Sequence, residues 1–466
     1  MGDALSYLST RGADSDLSFA DVVLKGLASD GGLYVPSELP RFSKEQQARF
    51  AELSYADLAT EMLKPFVGDA LDTAALNGLL TKAYGDRFRH AALCPLNQIG
   101  EKDYLLELFH GPTLAFKDFA LQVLGLLFDA FASKAGRPLT ILGATSGDTG
   151  SAAIEACRGR KSVRIVMLHP EGRVSDVQRR QMTTIVEDNV VNLAVDGSFD
   201  DCQALVKAAF MDGAIRQACQ LTAVNSINWA RVVAQTVYYA RASLELGGTH
   251  PVHFSVPTGN FGDIYAGYLA RLMGFPVGDL VIATNRNDIL VRTLETGRYD
   301  RASTNPTLSP SMDISVASNF ERYLLAASGN DTTWLKGAME KLKTDGGFEL
   351  PEQVYTALKA DFKGAAVSDQ ETIETIRDVY ANTQEILDPH TAIGVKAFEK
   401  CDLRAAGARV TLATAHPAKF EKAVEEALDQ KAPLPNHLED LMDRPERMTS
   451  IPADLDAIRP FLSSVA

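Results

Sequence analysis

From residue 104 onward, short runs rich in Val, Ile and Leu alternate with stretches of helical periodicity, and this alternation constrains the fold more than any other feature. YLLELF (104–109), PLTILGA (138–144), SVRIVML (162–168), VVNLAV (190–195) and LTAV (221–224) are each followed by a helical stretch, expected from 118, 151, about 175, 200 and 228. The series resumes with VHFSVP (252–257), LVIAT (280–284) and RVTLAT (409–414), and TIETIRDVYANTQEIL (372–387) reads as a long helix between the last two. Continuous apolar runs separated by helices are the pattern of parallel strands buried on both faces, so an α/β fold with helices on both faces of the sheet is expected. Residues 1–95 have a different texture. FADVVLKGLA (19–28) and KEQQARFAELSYADLATEMLKPFV (44–67) read as helices, separated by the glycine-rich break SDGGLYVP (29–36). Three regions are expected: a mainly helical part over 1–95, an α/β core over 96–430, and a C-terminal extension over 431–466.

At 466 residues the chain has room for about two to three domains and a large core. Its net charge of −14 argues against a nucleic-acid partner, because phosphate backbones need a basic surface. An anionic small ligand would therefore need local positive charge or helix N-termini. The longest apolar stretch, FALQVLGLLF (119–128), is too short to span a bilayer, and MGDALSYLSTRG lacks a basic n-region followed by an apolar one. The M-G-x-x-x-S match at Gly2 reads as chance, with nothing basic or lipophilic after it. Cys94, Cys157, Cys202, Cys219 and Cys401 are scattered and form no CxxC pair, as expected of reduced thiols in the cytoplasm. The eight histidines never fall at HxxxH or HxH spacing, so no metal is expected.

Four constellations carry chemistry. GATSGDTGSAA (143–153) and PTGNFGDIYAG (257–267) each follow a strand and open a helix, an arrangement that aims backbone N–H groups and a helix dipole at an anion. An ordinary βα turn has the same texture, and neither loop carries G-x-G-x-x-G or GK[ST], which disfavours dinucleotides and ATP. In FHGPTLAFKDFA (109–120), Lys117 sits among apolar residues, whose desolvation lowers a lysine pKa as a Schiff-base lysine requires. In LATAHPAKF (412–420), Thr414 ends a strand, where α/β sheets hold ligands, and His416 is either a base or a turn residue before Pro417.

Together with STRG (9–12), ASDGGLYVP (28–36), NSIN (225–228), TNRND (284–288), MDISVASNFER (312–322) and DPHTAIGVKA (388–397), these segments resemble the threonine synthase family of enteric bacteria and fungi. That family lies within fold type II of the pyridoxal-phosphate enzymes, and the matches run in family order from residue 9 to 420. GPTLAFKDF and SGDTG are the most specific of them. The resemblance implies two open parallel-type sheets with helices on both faces, plus a small mainly helical N-terminal domain, and makes 96–430 a catalytic core of two α/β subdomains. It makes Lys117 the lysine that binds pyridoxal 5'-phosphate covalently. Gly259, Asn260, Phe261 and Gly262 become the cofactor's phosphate cup, and Thr414 the residue facing the pyridine nitrogen. Thr145, Ser146, Gly147, Asp148 and Thr149 match the loop that clamps the substrate α-carboxylate, with the loop N–H groups better suited to that contact than the Asp148 carboxylate. Arg173, Asn225, Asn228, Arg231, Asn319 and Arg322 are candidates for a second anion site, and a structural salt bridge is an equal reading for each arginine.

The activity implied is conversion of O-phospho-L-homoserine and water to L-threonine and phosphate by γ-elimination and β-addition, the last step of threonine biosynthesis. Two alternatives stay open on sequence: a related phospho-lyase that eliminates phosphate but releases 2-oxobutyrate, and a non-catalytic ligand-binding protein on the same fold. A monomer and a homodimer are equally compatible with the sequence.

Overall fold

A computed structural model describes residues 5–145, 147–401, 403 and 406–463. Two sheets form its frame. The larger has six strands in the order Phe362–Ala366, Val277–Thr284, Val252–Pro257, Arg409–Ala413, Asp103–Glu107, Leu96–Gln98. All neighbours in it are parallel except the last pair, where Leu96–Gln98 runs antiparallel along Asp103–Glu107. The second has five parallel strands in the order Thr449–Pro452, Val190–Asp196, Val163–Pro170, Leu139–Ala144, Gln220–Thr222. Every residue of Val252–Pro257 is buried, as a strand covered by helices on both faces requires.

Several elements differ from the sequence expectation, each for a local reason. The stretch 44–67 is two helices, Lys44–Ala51 and Tyr55–Val67, because Ser54 caps the second by accepting from the Asp57 N–H. The helix expected from 151 begins three residues earlier, at Asp148, directly after Gly147 turns the chain at φ 144°. The extension contributes Thr449–Pro452 to the edge of the second sheet, in register with Val190–Asp196. Short polar-flanked runs such as TSIP carry no periodicity of their own, and the edge they pair with is what makes them strands.

The N-terminal region joins the main core. Its hairpin pair, Tyr7–Ser9 with Tyr34–Pro36, and its helices pack on the buried helices Lys117–Ala135 and Trp229–Leu246. Tyr55, Tyr84 and Phe88 gather around Phe119, with ring centroids 4.8–6.2 Å apart, and the Tyr84 hydroxyl donates to Phe119 O at 3.1 Å. This aromatic cluster buttresses the first turn of the helix that starts with Lys117.

Candidate active site

Four loops leave carboxyl ends of parallel strands and converge, where α/β sheets hold ligands. The first two are clipped together by their backbones. Phe116 N donates to Thr414 O at 2.9 Å, His416 N donates to Leu114 O at 3.0 Å, and Ala115 bridges Ala415. Leu114 takes a left-handed φ of 61° to make the turn. The clip brings Lys117 and Thr414, about 300 residues apart in sequence, onto one wall; Thr414 is buried there.

The third loop brings Asp148. Lys117 is 8% exposed, and its Nζ lies 3.5 Å from Asp148 Oδ2 and 4.7 Å from the centre of the Phe116 ring. Asp148 has closer partners: Lys419 Nζ at 2.6 Å, Gln178 Nε2 at 2.9 Å and Ser311 Oγ at 3.2 Å. Burial opposes ionisation of this carboxyl, but the charges of Lys419 and Lys117 and the hydrogen bonds from Lys419 and Gln178 prevail and hold it far below the usual range. For the Lys117 ammonium, burial dominates and pushes the pKa down. The Asp148 charge opposes that shift, and those of Lys419 and Arg231 reinforce it. Thr145 staples the loop, its hydroxyl accepting from both Gly147 N and Gly150 N at 2.9 Å, and Thr149 is half-buried beside it. Ser146 lies outside the described residues.

The fourth loop, 258–262, opens helix Gly262–Leu272, whose first N–H groups have no side-chain cap. Here the left-handed residue is Phe261, at φ 62°, with its ring locked among Phe320, Tyr323 and Phe362. The flanking glycines serve close packing instead. A Cβ on Gly259 would lie 3.0 Å from Ser311 O, and one on Gly262 would lie 3.1 Å from Asn319 Nδ2. Ser311 thus touches both Gly259 and Asp148, making the Lys117 cluster and this helix end one continuous site. At the helix end, Ser318 Oγ donates to Asn260 Oδ1, and Asn225 is half-buried with its Oδ1 accepting from Ile227 N.

Some expected anion ligands are committed elsewhere. Arg322 is fully buried and donates to Tyr34 O, Ile227 O and Asn319 Oδ1, bracketing the N-terminal hairpin to the site loops. Asn319 donates to Ser226 O and Asn260 O. Asn228 caps its own helix and donates to Val23 O. Arg173 is exposed, in the turn after Val163–Pro170, near Asp201. Asn228, Asn319 and Arg322 thus spend side-chain donors on packing, and Arg173 faces solvent. Arg231 differs: it is buried, its Nη1 has no partner among the described residues, and burial pulls its pKa down to about 10. Asp263, next to Gly262, accepts from Tyr238 and Tyr239, keeps Oδ2 without a partner among the described residues, and is pushed up to about 6 by burial. His416 is a turn residue. Its Nδ1 accepts from Ala418 N, and burial above all lowers it to about 4.

Three family models match the chain. "Threonine synthase N terminus" covers residues 6–84, "Pyridoxal-phosphate dependent enzyme" 92–415, and "Threonine synthase, C-terminal" 391–462. The threonine synthase of Pseudomonas aeruginosa is 52% identical over 461 residues, spanning 98% of both chains. The chain belongs to the threonine synthase family. The Schizosaccharomyces pombe threonine synthase is 44% identical, over 92% of this chain and 90% of its own. The crystal structure of pyridoxal-phosphate-bound threonine synthase from Brucella melitensis superposes with a TM-score of 0.97 at 47% identity, over 99% of this chain and 100% of that one.

As a member of the threonine synthase family, the chain is a pyridoxal-phosphate-dependent lyase of fold type II. Its residues fit that cofactor. An uncapped helix N-terminus suits a phosphate, the depressed Lys117 amine suits an aldehyde, and Thr414 lies buried on the same wall as Lys117. The sequence reading missed Lys419, Gln178, Ser311 and Asp263. Lys419 and Asp263 stand inside two quoted segments, ATAHPAKF and PTGNFGD, but a lysine or aspartate near a turn reads as a surface residue until its burial is known.

Proposed function

We propose that the chain converts O-phospho-L-homoserine and water to L-threonine and phosphate, the last step of threonine biosynthesis. When bound, pyridoxal phosphate would supply an electron sink that eases proton loss at Cα and Cβ and so the departure of phosphate from Cγ. Lys117 holds the cofactor aldehyde, and its amine, once freed, takes and returns protons at Cα and Cβ of the substrate. The N–H groups of Gly259–Gly262 hold the cofactor phosphate, which lets an acidic protein retain an anionic group without a lysine or arginine there. The Thr414 hydroxyl meets the pyridine nitrogen. The N–H groups of the Thr145–Thr149 loop hold the α-carboxylate, while the Asp148 carboxylate, bound by Lys419 and Gln178, stays out of that contact. For the substrate phosphate, the Arg231 guanidinium, whose Nη1 has no partner among the described residues, is the best supported ligand, with Asn225 in the loop that leads into its helix. Five free thiols, none paired, support a cytoplasmic setting.

The observation that carries this reading is the buried Lys117 amine, clipped through 114–116 to the strand end bearing Thr414. Lys117→Ala should keep its circular dichroism spectrum, lose the visible absorbance of bound cofactor, and lose turnover by several orders of magnitude. Near-normal activity in that variant would remove the assignment. Mass analysis of the product from phosphohomoserine separates threonine formation from a phospho-lyase, which gives 2-oxobutyrate.

A further inference from the structure

Two buried lysines share one carboxylate in this site. Asp148 Oδ1 takes Lys419 at 2.6 Å and Gln178 at 2.9 Å; Oδ2 takes Ser311 at 3.2 Å and reaches Lys117 only at 3.5 Å. The Lys419 side chain is wholly inaccessible, and its Nζ also donates to Thr113 O at 2.7 Å. Thr113 is itself fixed, donating from N and Oγ1 to Asp118 at 2.8 and 2.7 Å. The short turn Pro417–Lys419 that presents Lys419 is held by His416 Nδ1 and by Lys419 N donating to His416 O. Nothing in this arrangement is a long side chain resting loosely on a surface.

We propose that Lys419 is a positioning residue for the reaction: by engaging Asp148 in a contact ion pair, it denies Lys117 a carboxylate of its own and leaves the Lys117 amine uncharged and nucleophilic. This rests on the reading of Lys117 as the cofactor lysine. A buried lysine paired one-to-one with an aspartate is held as an ammonium, which has no lone pair to attack an aldehyde. With Lys419 in the closer position, Lys117 is the surplus cation. The Asp148 carboxylate also keeps a counter-ion whether Lys117 is charged, neutral or covalently engaged. The other charged groups that bear on Lys117 are Arg231, from helix Trp229–Leu246, and Asp263, from helix Gly262–Leu272. Asp118, on Lys117's own helix, is turned to Thr113 and pushed up to about 6 by burial. Arg231 acts in the same sense as Lys419, but no hydrogen bond or ion pair joins it to Asp148 among the described residues, so Lys419 is the charged group that competes with Lys117 for that carboxylate, beside the neutral donors Gln178 and Ser311.

The test follows Lys117 itself. Cofactor-stripped full-length protein is mixed with pyridoxal phosphate across the neutral to alkaline range. The rate of the absorbance change is recorded, and the borohydride-trapped residue is identified by peptide mass. In Lys419→Met the midpoint of the rate profile should rise by about one pH unit, with about tenfold less reactive amine at neutral pH. Lys419→Arg, which keeps the charge, should stay near wild type. Asp148→Asn should move the midpoint downward, since Lys117 then faces Lys419 without the screening carboxylate. An unchanged or lowered midpoint in folded Lys419→Met, an Arg variant shifted as far as the Met variant, or an unchanged or raised midpoint in Asp148→Asn each overturns the proposal. If Lys419→Met does not fold, Asp148→Asn decides alone. A purely structural role would lower the melting temperature of the variants without moving the midpoint. If the wild type forms no adduct at Lys117, it is the cofactor-lysine reading that fails.

Discussion

At the scale of single residues, Thr414 offers the sharpest test of the site. Its main-chain oxygen is held by Phe116 N, so side-chain substitutions there leave the clip in place. Thr414→Ser keeps a hydroxyl and should be mild. Thr414→Val keeps the volume but leaves a buried ring nitrogen without its partner, a loss of about 1–3 kcal/mol, which reads as roughly tenfold to a hundredfold weaker cofactor retention in equilibrium dialysis. Thr414→Asp would hold the ring nitrogen protonated and favour early loss of product, seen as 2-oxobutyrate alongside threonine. Equal cofactor affinity and threonine alone from all three variants would remove Thr414 from the pyridine nitrogen. Lys117 among apolar residues and Thr414 at a strand end were candidates from local sequence, and Asp148 entered through the family resemblance. The partners that determine their states were not legible there: Lys419 and Gln178 reach Asp148 across 271 and 30 residues, and no short-range pattern encodes those contacts.

At the scale of elements, the geometry between Lys117 and Asp148 depends on two helices that touch almost backbone to backbone. Helix Lys117–Ala135 carries Gly125, and a Cβ there would lie 2.4 Å from Ala156 O in helix Asp148–Cys157. Gly125→Ala should therefore push the two helices apart. The overpacking costs about 1–3 kcal/mol, measured as a lower urea midpoint, and should be accompanied by a lower kcat as the Lys117–Asp148 distance lengthens. An Ala variant with wild-type stability would show that the helices slide freely. Helix and strand types in the core follow the apolar periodicity of the sequence closely. Boundaries deviate where a side chain staples a loop, as Thr145 does ahead of Asp148, because such hydrogen bonds extend a helix beyond what periodicity alone marks.

At the scale of the whole molecule, the chain's two ends complete the body they join. The tail adds a strand to the five-stranded sheet and buries Ile451, Ile458 and Leu462 against Val166, Leu193 and Val195. Truncation after Met448 should expose that edge and those side chains, at about 1.5–3 kcal/mol each. The protein should unfold at markedly lower urea and aggregate through the freed edge. A truncated chain with an unchanged urea midpoint would mean the tail is peripheral. At the other end, Arg11 pairs with Glu321 at 2.7 Å, and Arg322 donates to Tyr34 O, so the N-terminal region is tied to the helix beside the 258–262 loop.

By itself, the sequence determined the α/β class, the parallel strands, the glycine-rich turns at strand ends, and the lysine set among apolar residues. These depend on interactions between near neighbours, and local periodicity records them. Only the tertiary structure decided that Arg322, Asn228 and Asn319 are brackets, while Arg231 stays buried with an orphaned donor. Only there does Asp148 lie between two buried lysines, in contact with Lys419 at 2.6 Å and 3.5 Å from Lys117. A polar side chain's role is set by which groups remain unpaired after packing, and that is settled by contacts between residues far apart in the chain.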